Sequence, residues 1–371
     1  MMNLLMDDLL QDIFSRLPVR SIMQCRCVCR SWRDLICGSF FTRNQMTRSI
    51  AAKSGLMLHT TIYYEGICFF SEFFFMDRHH VPVPTCLPMN FSILNFREFY
   101  VRGSCNGLLC LVNRADKFIR FVCNPFLRHC VKIPDNLAYP SGRVNSLVCE
   151  LGFCPKTQSY KILEISKWTV VVGRSQTEDR LEIHVYRLGD DFWKRIDCKV
   201  HPWQPQRTAE NPGSASLVNG VFHWVNQSSA AFVTVFDLAN DVFDKMPGPK
   251  AGTGRFSTGV LGNCLSIMNN HINVDVWVMK QYGVIDSWAK LFVIKITEPK
   301  WSVELVRVLD YQQEDGQLLL FYNHQVLGTY DPQKMTFKRI DIVGKNAWYD
   351  VVLHSDTLVS PLDFSPKYKL V

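Results

Sequence analysis

Aromatic residues seven positions apart, separated by a short polar turn, recur along this chain: Tyr186 and Trp193, Phe236 and Phe243, Tyr330 and Phe337, with Phe292 and Trp301 a looser case. Each pair reads as strand, turn, strand. Asn219-Gly220, between Ala215–Val218 and Val221–Val225, is a two-residue hairpin signal, because such turns need positive φ at both positions. Ser104–Leu111 carries the same Asn-Gly step before an apolar strand. Units of this kind repeating at intervals of roughly 40–60 residues point to a radial β architecture. At ~50 residues per kelch-type blade, the stretch from about residue 50 to 360 holds about six. The expected fold is therefore mainly β, a kelch-like β-propeller of about six blades, after a small helical region. Trp224, Trp277, Trp288, Tyr186 and Phe236 lie on alternating segments and are expected between sheets.

Before about Phe40 the period is helical. Leu5, Leu9, Ile13 and Leu17 recur every four residues, and Leu10 with Phe14 widens that stripe. Pro18 ends the first helix, and Val19–Met23 begins a second. Val28, Trp32, Leu35 and Ile36, at i, i+4, i+7 and i+8, mark the inner face of a third. A unit this small buries little surface alone and is expected to share its apolar face with a partner. The plainer alternative is a helical hairpin packed on the rest of the chain.

The 371 residues are 47% hydrophobic and 20% charged, a soluble globular balance with ample material for a large core. A net charge of +7 without any basic run gives no support for nucleic-acid binding. The most apolar stretch, Gly66–Met76, is too short to span a bilayer. No signal-peptide pattern is visible, so cytoplasm or nucleus is expected. The fourteen cysteines lack metal-ligand spacing and read as thiols packed in a core. His79-His80, next to Val81-Pro82-Val83-Pro84, reads as a solvated loop. Gly254–Gly259 has phosphate-loop spacing, but Val260-Leu261 stands where Lys-Ser/Thr would be needed, so a glycine-rich surface loop is expected. No catalytic constellation, metal site or cofactor is expected.

The helical segment resembles an F-box. Asp8-Leu9-Leu10, Ile13, Arg16-Leu17-Pro18-Val19-Arg20-Ser21 and Arg26-Cys27-Val28-Cys29-Arg30-Ser31-Trp32-Arg33-Asp34-Leu35-Ile36 follow that family's pattern, with Met6 where proline is usual. Farther on, Gly103–Cys110, Asn124-Pro125-Phe126, Leu151-Gly152-Phe153, Asn219–Trp224, Phe236-Asp237-Leu238, Asp275–Val284 with Ser287–Phe292, and Tyr330-Asp331-Pro332 resemble the plant F-box-associated domain. The resemblance implies an F-box over 1–48, a linker and first strands over 49–100, an F-box-associated β-domain over 101–361 and a tail over 362–371.

It also implies a substrate-recognition subunit of an SCF-type cullin–RING ubiquitin ligase, without catalytic residues of its own. Such a subunit docks on an SKP-family adaptor, and through it a cullin, and holds a protein target. The alternative is a non-degradative adaptor or competitor on the same partner. A copper-oxidase-type propeller would need a cluster of Tyr, His and Cys, which the scattered histidines do not suggest. The expected adaptor face is Leu5, Met6, Leu10, Ile13, Leu17 and Pro18, with Val28 and Trp32 holding the helices against it. Proline at position 6 is expected to preserve or tighten that contact by stiffening a turn. The expected target-binding rim is Trp203 and Arg207 in one loop and Arg255 and Phe256 in another, since aromatic residues and arginine dominate hot spots.

Overall fold

A computed structural model of the chain describes residues 2–51, 55–64, 67–76, 85–86, 99–113, 116–172, 176–197, 215–226, 228–271, 273–295, 306–312, 315–322, 326–340 and 348–364. Within those ranges, side chains are described except at 2–5, 51, 59–74, 85–86, 312 and 348–350. The chain divides into two compact units, Met1–Asp135 with Asp350–Val371, and Asn136–Tyr349.

The first unit opens with four helices, α1 Met2–Ser15, α2 Val19–Cys25, α3 Arg30–Cys37 and α4 Ser39–Ala51. Phe14, Val19, Ile22, Ile36 and Phe41 form their core, and Phe14 meets Trp32 edge to face at 4.8 Å. Two four-stranded sheets follow. One contains β1 Gly55–Tyr64, β2 Ile67–Met76 and β3 Thr85–Cys86; the other contains β4 Phe99–Cys105, β5 Leu108–Asn113, β6 Arg120–Asn124 and β7 His129–Lys132. The last strand of the chain, β24 Trp348–His354, joins the first of these sheets beside β1.

The second unit holds four more sheets of four strands, each an antiparallel meander. They are β8 Gly142–Cys154, β9 Ser159–Val172, β10 Gln176–Arg187 and β11 Lys194–Arg195; β12 Ser216–Val218, β13 Val221–Asn226, β14 Ser229–Asp237 and β15 Val242–Pro247; β16 Arg255–Leu261, β17 Cys264–Asn270, β18 Val274–Met279 and β19 Trp288–Ile294; and β20 Val306–Gln312, β21 Gln317–Tyr322, β22 Val326–Asp331 and β23 Thr336–Ile340. Neighbouring sheets bury aliphatic and aromatic side chains between them. Leu163, Ile165, Ile183 and Val185 pack on Phe222, Trp224 and Phe236, and farther on Val276 and Val278 pack on Leu318, Leu320 and Tyr330. Burying both faces of a strand calls for apolar runs rather than alternation, and β5 shows one in Leu108–Val112. Each such side chain stabilises by ~1.5–3 kcal/mol. Among the described residues there are thus six four-stranded sheets and four N-terminal helices, the expected mainly β class and blade number.

The seven-residue aromatic spacing is a hairpin register. Phe236 faces Phe243 and Tyr330 faces Phe337 across adjacent strands, each pair followed inward by one more pair and a four-residue turn. Phe153–Tyr160 and Cys123–Cys130 keep the same register. The last turn residue has positive φ in all four hairpins: Arg128, Gln158, Asp241 and Met335. In three of them an Asn or Asp opens the turn and accepts backbone N–H bonds, as Asp331 Oδ1 does from Gln333 and Lys334 at 2.9 and 3.0 Å. Asn106-Gly107 and Asn219-Gly220 are two-residue turns with positive φ throughout, as their sequence requires. Trp301 lies outside the described residues.

Four expectations change. Trp224, Tyr186 and Phe236 are buried, but Trp277 and Trp288 are only half-buried. Trp277 sits across from Lys290, whose ammonium lies 5.4 Å from the indole centre, and Trp288 Nε1 donates to the Pro247 carbonyl at 3.3 Å. Residues 255–259 are the start of strand β16, not a surface loop. Cys123 and Cys130 are joined as a disulfide, where thiols throughout were expected.

Candidate functional site

Helix α1 turns two faces to different surroundings. Phe14 points into the helical core, with Leu10 and Leu17 half-buried at its edge. On the other side Met6, Leu9 and Ile13, at i, i+3 and i+7, are exposed by 65%, 66% and 53%. Three large apolar side chains in one stripe are an unfavourable solvent surface unless a partner covers them. Pro18, also exposed, closes the stripe at the α1–α2 corner. Asp12 stiffens the helix from beside it. Its carboxylate pairs with Arg16 at 2.9 Å and with Arg48 of α4, and both guanidiniums hold it below the ordinary aspartate range.

Of the expected adaptor residues, Met6, Leu10, Ile13, Leu17 and Pro18 lie along this edge, while the side chain of Leu5 is outside the described set. Trp32 packs inward as expected. Val28 does not. It lies in the turn before α3 and is 65% exposed, because that helix begins only at Arg30, with Cys29 as its N-cap. Met6 stands inside α1 rather than in a preceding turn, so a proline there would remove a helical hydrogen bond instead of stiffening a loop. Leu9 belongs to the exposed stripe, and its place in the four-residue repeat was the available signal. Phe40, 65% exposed beside Asp8, Gln11 and Asn44 in the α1–α4 groove, left a fainter one in the Phe40-Phe41 pair, of which Phe41 alone is buried.

The expected target rim is not brought together. Trp203, Arg207, His79 and His80 lie outside the described residues. Arg255 is exposed, but Phe256 is 2% exposed and packs with Val225, Val233 and Ile267. Strand β16 starts at Arg255, so alternation sends the next side chain inward. The preceding loop is anchored rather than loose: Asn269 Nδ2 donates to the carbonyls of Ala251 at 2.7 Å and Thr253 at 3.2 Å.

A second exposed apolar feature is the β18–β19 loop, where Tyr282, Val284 and Ile285 are all solvent-accessible. Its base is rigid. Ser287 Oγ accepts from the Gln281 N–H and donates within the loop, and the Tyr282 hydroxyl donates to His223 Nε2 at 3.0 Å. His223 Nδ1 in turn donates to the Ser216 carbonyl at 3.0 Å, which sets the Nδ1–H tautomer of the neutral ring. Burial pushes its pKa down to about 4 and raises that of Tyr282. Among the described residues no group of three or more His, Cys, Asp or Glu side chains is placed to hold a metal, and no helix is long and apolar enough to cross a membrane.

Two family models match this arrangement. Residues 3–44 match the F-box domain, and residues 88–365 match the F-box associated beta propeller domain. The chain belongs to the F-box family with an associated beta propeller. Among its relatives in Arabidopsis thaliana, the F-box protein At3g07870 is 29% identical over 96% of this chain and 93% of its own length. The F-box/kelch-repeat protein At3g23880 is 25% identical over 96% and 95%, and the F-box protein CPR1 is 26% identical over 90% and 84%. The exposed stripe on α1 thus falls within the residues of an F-box, a domain that generally binds a Skp1-type adaptor. Proteins of this F-box and propeller type are adaptors for substrates rather than catalysts.

Proposed function

We propose that this chain is the substrate-recognition subunit of an SCF-type cullin–RING ubiquitin ligase, acting in the cytoplasm or nucleus. The observation that carries the reading is the exposed Met6–Leu9–Ile13 stripe on the F-box helix. An SKP-family adaptor covers it and links the chain to a cullin, while the sheets hold a protein target near the ubiquitin-charged enzyme. The chain's contribution is effective concentration and orientation, and the bond-making belongs to other subunits. It needs no cofactor. Trp203, Arg207 and Arg255 stand as proposed target contacts; Phe256, being buried, does not.

The test is a calorimetric titration of the full chain with purified adaptor, then assembly with cullin and RING subunits and a ubiquitin-transfer assay on captured proteins. Binding with transfer supports the reading. Binding without transfer to any captured protein favours a non-degradative adaptor, and no binding removes both.

A further inference from the structure

After β24 the chain runs from Ser355 to Ser360 without regular structure, yet five of these six residues are nearly inaccessible: Ser355, Thr357, Leu358, Val359 and Ser360. A buried segment outside helix and sheet must find partners for its backbone N–H and C=O groups. Here two side-chain amides supply them, one from each side. Gln45 of α4, 3% exposed, donates from Nε2 to the Asp356 carbonyl at 3.1 Å and accepts at Oε1 from the Leu358 N–H at 3.1 Å. Asn124, at the end of β6, donates from Nδ2 to the carbonyls of Thr357 and Val359, both at 2.8 Å.

The alternation is that of an extended chain, whose successive residues face opposite ways. Residues 356 and 358 face the helices. Leu358 completes the helical core, and the Asp356 carboxylate accepts from the Val19 N–H at 3.4 Å and the Ser49 hydroxyl at 3.1 Å. The Ser49 hydroxyl also reaches the Asp356 carbonyl at 2.6 Å. Residues 357 and 359 face the second sheet, where Thr357 Oγ1 donates to the Asn106 carbonyl at 2.8 Å. The ends are fastened too, by His354 to Ser104 at 2.9 Å and by Ser360 to His129 at 2.8 Å.

We infer that residues 354–360 are a positioning strap: Val19, Gln45 and Ser49 form a receptor surface on the F-box for the Asp356-Thr357-Leu358 segment of the same chain, and its occupation fixes the F-box on the second sheet. The F-box therefore has two binding faces, the α1 stripe for a partner and this one for the chain's own C-terminal segment. On the function proposed above, the strap sets the angle between the F-box and the second sheet of its own unit.

Hydrogen exchange on the full chain tests this without any adaptor, so a chain that binds no adaptor overturns the proposed function and leaves the strap to be judged separately. Leu358→Ala is expected to speed exchange of the α2 and α4 amides by about tenfold or more, with Asp356→Ala doing so by less. Amides of β13 and β17, in the other unit, keep their protection. Gln45→Ala decides the matter should Leu358→Ala unfold the chain, because it removes both amide contacts on the helical side and leaves those of Asn124. Gln45→Glu, which keeps the acceptor and loses the donor, is expected in between. Unchanged helical exchange in Gln45→Ala and Asp356→Ala overturns the proposal. So does an equal loss of protection in β13 and β17, which would make the segment part of a general core.

Discussion

The helices and the sheets treat their large apolar side chains in opposite ways. In the sheets Trp224, Phe222 and Phe236 are all but sealed, paired across strands and between neighbouring sheets. In the helices one face of α1 leaves Met6, Leu9 and Ile13 in solvent, while the core behind them borrows Leu358 from the far end of the chain. The sheets also expose single apolar side chains, Val171 and Phe232 among them, but the cores between them are filled by their own strands, whereas the helical core is completed from outside the helices. Substitutions in the sheets should therefore act on stability, and substitutions on α1 should act on association.

The sharpest way to break that division is in the sheets. Trp224→Ala should cost ~3–5 kcal/mol, whereas half-buried Trp277→Ala should cost only about 1–2 kcal/mol. Urea denaturation of both variants checks this, and equal midpoints would mean that burial does not separate the two tryptophans. Acid should expose the same rigidity. Because the folded-state pKa of His223 is lowered from 6.5 to about 4, the unfolded chain binds more protons between those values. Stability is fully present above about pH 6.5 and falls by about 3 kcal/mol as pH drops to about 4. That figure is the share of His223; buried His354, lowered from 6.5 to about 3, adds to the fall over the same range and carries it to more acid pH. Melting curves from pH 7 to pH 4 read the slope, and His223→Phe should reduce it without abolishing it.

On α1 the effect should move to binding. Leu9→Asp with Ile13→Asp should weaken adaptor affinity by about a hundredfold, with the melting temperature nearly unchanged. A large drop in melting temperature would show these side chains to be structural after all. The smallest effect sharpens the boundary of the helix. Met6→Pro should unwind residues 2–5, because proline begins a helix well and continues one badly. Far-ultraviolet circular dichroism should record the loss of about one turn, with no gain in adaptor affinity.

The hairpins were legible in the sequence because their signals are local. A pair of aromatics seven apart, or an Asn-Gly step, states a register within one turn, and repetition of such units gave the number of sheets. The exposed stripe was legible in part: Met6 and Ile13 were expected on it, while Leu9, although a member of the four-residue repeat, was not. What failed was placement by one or two residues. Phe256 was read as loop and lies one residue into a strand, where a single step reverses the direction of the side chain. Val28 was read on the inner face of a helix and lies in the turn ahead of it. Gln45 and Asp356 carried no signal, and Asn124 stood in a family motif that did not disclose its contacts, since single amides and carboxylates have no period and their partners lie hundreds of positions away.

That separation bears on the order in which the protein is made. The helices leave the ribosome well before the segment that closes them, since Gln45 and its partner Asp356 are 311 positions apart. The helical core stays open on one side while the intervening strands are made, and closes only once the segment after β24 has followed. A chain truncated before Leu358 would carry all four helices and every strand of the six described sheets, and still lack a finished F-box. Completion of the helical domain is in this way made conditional on residues synthesised 311 positions after it.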